Sequence, residues 1–329
     1  MDKVPVIDIS AFESGGPEIQ RSIAREVARA VEEIGFLTVT GHGVPDAAIG
    51  RMRDSAWTFF RLPVEAKRRY LNPKQDLNRG YTPLGDEYTG SAGDEKAPAD
   101  IREGFIFGPF DVVDGPHLAE PGADYAYQPN IWPDAVPGLA HAFRTYYRAV
   151  DGFNNRLVRV LARALDLPID FFLDKFDHHA SPIRLLHYPA LETAPIDGQL
   201  RCGEHTDFGS HTILLADGAR GGLQVRTRAG KWTDVIPPAN SFIVNIGDLL
   251  MRWTNDRWLS NLHRVANPSS LRDRASDRLS IAFFVHPNPD AVIECIPTCR
   301  GDGAPARHPP VRAGDYRRMM VTKTSAAAQ

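Results

Sequence analysis

Cysteine is scarce in this chain: Cys202, Cys295 and Cys299 are the three among 329 residues. An odd, sparse set excludes a disulfide framework and fits a reducing cytoplasm. Cys295 and Cys299 are not spaced as C-x-x-C, which leaves them as free thiols. Long apolar runs are also lacking. None approaches the roughly 18 residues of a membrane-spanning helix. The opening MDKVPVIDIS has no basic stretch ahead of an apolar one, so no secretory signal is expected and the expected location is cytoplasmic. Neither sign of charge is in excess. A formal net charge of -3 and a pI near 6.4 argue against nucleic acid or an anionic membrane as partner. There is no H-E-x-x-H, no Walker loop, no G-x-G-x-x-G on a strand-to-helix turn and no internal repeat. What remains, 43% hydrophobic and 24% charged, is the composition of an ordinary globular protein.

The patterning divides the chain. Val4 to Ile9 alternates weakly around Pro5 and predicts a short edge strand. Ile19, Ile23, Val27, Val31 and Ile34 recur at three- and four-residue steps, predicting a helix that Gly35 ends. Phe36 to Thr40 predicts a strand, and Asp46 to about Phe60 a second helix. Residues 72–135 are rich in Gly, Pro and Asp with little periodicity, and so long an irregular stretch is usually functional or mobile. Leu139, Phe143, Tyr146, Val150, Phe153, Leu157, Val160 and Ala164 form one apolar stripe and predict a long core-packing helix. From Ile183 the texture changes to short strands, near 183–188, 211–215, 222–226, 241–246, 263–266, 278–285 and 291–294. Such spacing suggests a sandwich or barrel. The expected organisation is one domain over 1–329, with a helical and irregular part at 1–135, helical support at 136–180 and a β core at 181–300. VTKTSAAAQ at the end is expected to fray.

Three residues suggest a metal. In Gly203-Glu204-His205-Thr206-Asp207, His205 and Asp207 are two apart and share a face of an extended chain. His263, in Asn261-Leu262-His263-Arg264-Val265, can add a second imidazole. Two His and one carboxylate leave open positions on an octahedral ion, the arrangement of non-haem Fe(II) oxygenases. An isolated H-x-D says little in a chain with 11 histidines, and a structural histidine on a turn is the competing reading. Arg278 and Ser280 also share a face, within the apolar run that continues Ile281-Ala282-Phe283-Phe284-Val285. An arginine there needs a fixed carboxylate, from a ligand or from the protein itself. His178-His179 and His211 are expected to play no part in a metal site.

The order H-x-D, H-R-V, R-x-S resembles the isopenicillin N synthase-like family of Fe(II) and 2-oxoglutarate-dependent oxygenases. Val4-Pro5-Val6-Ile7-Asp8, Gly35-Phe36, Gly41-His42-Gly43-Val44, Arg79-Gly80-Tyr81 and Glu103-Gly104-Phe105 are similar to words of that family. So are Gly222-Leu223-Gln224-Val225, Asn245-Ile246-Gly247-Asp248 and Trp253-Thr254-Asn255. The resemblance covers about residues 4–290. It implies a distorted double-stranded β-helix, or jelly roll, flanked by helices. It implies Fe(II) held by His205, Asp207 and His263. Arg278 and Ser280 would hold the distal carboxylate of the co-substrate 2-oxoglutarate, with Tyr188 assisting. It implies O2-dependent oxidation of a small molecule (hydroxylation, desaturation or cyclisation) with release of succinate and carbon dioxide. Two departures stand out: Leu186-His187-Tyr188-Pro189 replaces the Asn-Tyr-Tyr-Pro of many plant relatives, and the stretch from His263 to Arg278 is longer than in several. An oxidase of the same fold that takes no 2-oxo acid, and an inactive ligand-binding barrel, are the alternatives.

Tyr81, Arg102 and Phe284 are candidate substrate contacts, against loop packing, surface charge and barrel core respectively. The sequence leaves substrate identity and oligomeric state open. Residues 72–110 are expected to close over the substrate, with Gly85, Gly90 and Gly93 as hinges. Hydrogen exchange with and without substrate checks this: protection should rise within 72–110, and a rise confined to about 312–322 contradicts it.

Overall fold

The strand Arg278–Val285 decides the layering. Leu279, Ile281, Phe283 and Val285 point into one buried apolar cluster, while Ala282 belongs to a second and Phe284 packs on it. This is the period-2 alternation of a strand with both faces covered. The structure is a computed structural model. It describes residues 3–72, 78–89, 98–112, 114–120, 122–191, 193–216, 222–269, 276–301, 303 and 305–327, with side chains up to 322.

The N-terminal part contains β1 (Val6–Asp8), α1 (Pro17–Glu33), β2 (Phe36–Thr40), α2 (Asp46–Phe60), α3 (Val64–Arg68), β3 (Gly80–Thr82) and β4 (Glu103–Phe107). The short α4 (Ala123–Ala126) and the long α5 (Leu139–Ala164) follow. Next come β5 (Ile183–Tyr188), β6 (Cys202–His205), β7 (His211–Ala216), β8 (Leu223–Arg226), β9 (Trp232–Asp234) and β10 (Phe242–Ile246). The chain ends with α6 (Asp248–Trp253), β11 (His263–Val265), β12 (Arg278–Val285), β13 (Val292–Ile293), β14 (Val311–Arg312) and α7 (Ala313–Ala327).

Eight strands form the major sheet in the order β1-β2-β10-β7-β12-β5-β4-β3, and β6-β11-β8-β9 form a minor sheet. Leu186, Tyr188, Ile243 and Ala282 of the major sheet pack with Cys202, Leu223, Val225 and Val265 of the minor one. This is the jelly-roll core, built as two facing sheets rather than a closed barrel. The outer face of the major sheet is covered by helices. Phe143, Val150, Phe153 and Leu157 of α5 share a cluster with Val27 and Val31 of α1, Met52 and Phe59 of α2, and Phe105, Ile183 and Ile213 of the sheet.

Every strand expected after residue 183 is present, and α1, α2 and α5 lie where their periodicity puts them. The expectation of an irregular 72–135 is corrected: β3 and β4 extend the major sheet beside β5. Three- and five-residue strands give too short an alternation to stand out. The C-terminal tail is corrected too, since α7 runs to Ala327. Gly90 and Gly93, two of the expected hinges, lie outside the described residues; Gly85 has φ +79°. All three cysteines are free. Among the described residues no helix is long and apolar enough to cross a membrane.

A polar network crosses the helix-facing side. Glu103 accepts from Lys67 Nζ at 2.7 Å, from Tyr81 Oη at 2.5 Å and is 2.7 Å from His187 Nδ1, whose Nε2 lies 2.8 Å from Asp277. Farther along the sheet, the fully buried His211 lies 2.9 Å from Asn154 Oδ1 of α5. Burial pushes its imidazole down to about 3. The unfolded chain therefore takes up a proton between about pH 6.5 and 3 that the native chain does not. The stabilisation is complete above 6.5 and declines with acid by about 1.4 kcal/mol per pH unit for this group. Urea unfolding between pH 4 and 6 should show a shallower pH slope in His211→Gln; an unchanged slope would mean that the native imidazole titrates.

Candidate metal centre

In the minor sheet His263 of β11 is the direct cross-strand partner of His205 of β6, and their ring centroids are 4.2 Å apart. The β6–β11 register is irregular beyond this pair, as often occurs beside active sites. Asp207, just past β6, brings Oδ1 to 3.9 Å from His205 Nε2 and Oδ2 to 3.9 Å from His263 Nε2. One ligand atom from each of the three lies within 4.8 Å of the others, the one such group of three or more among the described residues.

The donor set fits a divalent first-row ion. His205 Nδ1 is 2.8 Å from the Gly203 carbonyl and His263 Nδ1 is 3.1 Å from the Asn261 carbonyl. Both Nδ1 atoms thus donate to backbone, which turns both Nε2 lone pairs toward Asp207. Burial, with His205 beside it, pushes His263 down to about 4, so it is neutral at pH 7 as a ligand must be. Burial works to raise the Asp207 carboxyl. The two imidazoles and hydrogen bonds from Thr212 and Asn245 outweigh it and hold the group below its usual range.

The backbone fixes Asp207 from the other sheet. Asp248 N donates to the Asp207 carbonyl at 2.7 Å, and Gly247 N to that of Ser210 at 2.8 Å. A Cβ on Gly247 would lie 2.3 Å from the Gly209 carbonyl oxygen, so only glycine permits this approach. Thr212 Oγ1 and Asn245 Nδ2 donate to Asp207 Oδ2 at 2.6 and 2.7 Å. Asp248 accepts from Ser260 Oγ at 2.6 Å and Thr206 Oγ1 at 3.2 Å. Asn245 and Asp248 lie in the Asn-Ile-Gly-Asp word already noted, but their task was not legible there, and nothing local marks Thr212 or Ser260.

On the major sheet's inward face Arg278 pairs with Tyr188 across β12 and β5. Its guanidinium lies 5.2 Å from the Tyr188 ring centroid and donates from Nη2 to Ser280 Oγ at 3.1 Å. All three are buried. Phe284, half-buried on the same face, is the cross-strand partner of Thr212, which binds Asp207.

One expected substrate contact is corrected. Tyr81 pairs with Phe105, which pairs with Leu185, all on the helix-facing side of the sheet. Its hydroxyl donates to Glu103, so it faces away from the triad. Arg102 is buried rather than a surface charge. Its Nη2 lies 3.1 Å from Asp100 Oδ2 and 3.2 Å from Glu87 Oε2, and donates to Thr89 Oγ1 at 2.8 Å. His178 and His179 pair with Asp177, Asp290 and Asp151, away from the triad.

Comparison with known proteins agrees with this geometry. The 2OG-Fe(II) oxygenase superfamily matches residues 180–287, and the N-terminal family of a non-haem dioxygenase in morphine synthesis matches residues 4–135. The chain is 34% identical over 327 residues to a 2-oxoglutarate-Fe(II) type oxidoreductase of Emericella nidulans, covering 94% of this chain and 87% of that one. It is 34% identical over 304 residues to a proline hydroxylase of Petromyces alliaceus, covering 89% and 90%. A full-length Neurospora crassa protein, solved by crystallography with alpha-KG and thymine, is similar with a TM-score of 0.84 at 30% identity, covering 98% and 96%.

Because Thr212 and Asn245 orient Asp207, Asn245→Ala and Thr212→Val should each weaken Fe(II) binding about 10–100-fold. Anaerobic metal titration checks this. Wild-type affinity in both variants would mean that Asp207 needs no such support.

Proposed function

The chain belongs to the 2OG-Fe(II) oxygenase superfamily, in its isopenicillin N synthase-like branch, and on that premise we propose that His205, Asp207 and His263 are its iron ligands. The protein is an Fe(II)- and 2-oxoglutarate-dependent dioxygenase that oxidises a small molecule and releases succinate and carbon dioxide. The observation that carries the residue assignment is the convergence of the His205 and His263 Nε2 atoms and the Asp207 carboxylate, supported from behind by Thr212 and Asn245.

Arg278 and Ser280 take the distal carboxylate of 2-oxoglutarate in this reading. The guanidinium fork matches a carboxylate bidentately, and the Ser280 hydroxyl already lies beside it. Tyr188 backs the guanidinium with its ring. Leu186, Leu223, Val225 and Val265 line the space between the sheets and keep water from the reacting groups. Iron and 2-oxoglutarate, when bound, supply the activation of dioxygen. The protein orients them: Asp207 offsets part of the metal charge, and the Nδ1 hydrogen bonds fix both imidazole planes. Phe284, beside the triad, is positioned to touch the primary substrate. Hydroxylation of a small polar molecule is the finer reading; relatives include a protein named as a proline hydroxylase and one solved with thymine.

Adding Fe(II) and 2-oxoglutarate without oxygen should produce a visible metal-to-ligand charge-transfer band. Arg278→Ala removes a charge-assisted contact worth about 2–5 kcal/mol. It should demand far more 2-oxoglutarate for the same band while Fe(II) affinity holds. Unchanged co-substrate affinity would return Arg278 to an internal structural role.

A further inference from the structure

The histidine of Leu186-His187-Tyr188-Pro189 has no task in these assignments. His187 alternates with Leu186 and Tyr188, which face the space between the sheets, and so points to the helices. Its cross-strand partners are Glu103 of β4 and Leu279 of β12. The next row of the same two strands pairs Tyr188 with Arg278. Arg278 is the first residue of β12, and a strand end opens more readily than its middle. The guanidinium assigned to 2-oxoglutarate therefore sits where the sheet needs an anchor, and Asp277, the residue before it, supplies one.

Both ring nitrogens of His187 face carboxylates. Nδ1 is 2.7 Å from Glu103 Oε1, and Nε2 is 2.8 Å from Asp277 Oδ1. A neutral imidazole has one N–H, so two carboxylates at once require the imidazolium. Burial opposes that charge; the bonds to Asp277 and Glu103 outweigh it and hold the group above its ordinary 6.5. Burial also works to raise both acids, and the bond from His187 leads the effects that keep each below its usual range. Trp57 and Phe60 of α2 pack on the ring at centroid distances of 5.3 and 5.2 Å and keep it from swinging aside. Arg61, at the end of α2, and Arg201 add positive charge near Asp277. Lys67 of α3 and Tyr81 of β3 both donate to Glu103.

We propose that His187 is a positioning residue for the co-substrate, an imidazolium that pins the start of β12 from behind and so fixes Arg278 without reaching the chamber. This inference rests on the reading of Arg278 above. The two acids are unequal. Glu103 keeps Lys67 and Tyr81 when the imidazolium loses its proton, and its side chain is 6% exposed. Asp277 is 42% exposed, keeps the backbone N–H of Ala190 and can turn to solvent. Asp277 is therefore the partner that lets go, and the anchor beside Arg278 goes with it. The sign follows. The contribution of His187 to co-substrate affinity is full below about pH 6.5 and declines as pH rises through its raised value.

The test uses full-length protein with Fe(II) under anaerobic conditions. 2-Oxoglutarate is titrated against the visible charge-transfer band from about pH 6.5 to about pH 8.5. Wild-type affinity should fall about fivefold across that range, the scale of one hydrogen-bonded contact. Asp277→Asn and His187→Gln should each need about fivefold more 2-oxoglutarate at the acid end, with Fe(II) affinity unchanged and a flat pH profile. The double variant should bind no worse than the weaker single one. If His187→Gln does not fold, Asp277→Asn, at a partly exposed position, carries the comparison. Wild-type 2-oxoglutarate affinity in Asp277→Asn, a wild-type pH profile in it, or Fe(II) affinity that falls in step with 2-oxoglutarate overturns the proposal. Arg278→Ala, run alongside, separates this proposal from the reading beneath it. If Arg278→Ala also binds as wild type, the co-substrate assignment is what fails. If Arg278→Ala loses affinity and Asp277→Asn does not, only the role of His187 fails.

Discussion

The cross-strand pairing of His205 with His263 is the contact on which the site depends. It sets two imidazoles 4.2 Å apart on a short, irregular strand pair. Burial of His263, with His205 beside it, holds that imidazole against protonation. The acid between them is then the group that relieves the site. It can do so only because Gly247 lets the chain of 207–210 approach within a distance no side chain would tolerate. A neutral His263 facing an ionised Asp207 is what a divalent cation requires, so the electrostatics of the fold itself already favour a metal.

The two sheets divide the labour. The minor sheet carries both histidines and much of the apolar lining. The major sheet supplies Arg278, Ser280 and Tyr188 at one end of its inward face and Phe284 nearer the triad. Its rigidity comes from the helices behind it, with α5 packed against strands whose outward residues are largely apolar. Polar groups on that outer side are tied into their own network around Glu103 and do not reach the reaction chamber.

Much of this was legible in sequence because alternation is a strong signal over eight residues. Arg278 and Ser280 share a face in any extended reading of β12, and His205 and Asp207 do so at the end of β6. The long stripe of α5 was equally plain. Alternation failed where strands are short: Tyr81 looked like a loop aromatic near the pocket, yet in β3 it faces the helices. Arg102 had a neighbouring acid within reach in Asp100, but its second partner, Glu87 in the preceding loop, shows only in three dimensions. Thr212 and Asn245 lie on neighbouring strands that meet only in the fold, so no local pattern marks them as supports for Asp207.

Iron K-edge absorption on the anaerobic protein with one equivalent of Fe(II) tests the central claim most directly. Two imidazole nitrogens and a carboxylate oxygen at about 2.0–2.2 Å are predicted, with the imidazole scattering roughly halved in His205→Ala and likewise in His263→Ala. Oxygen-only coordination in the wild-type protein, or an unchanged imidazole signal in both variants, would contradict the assignment.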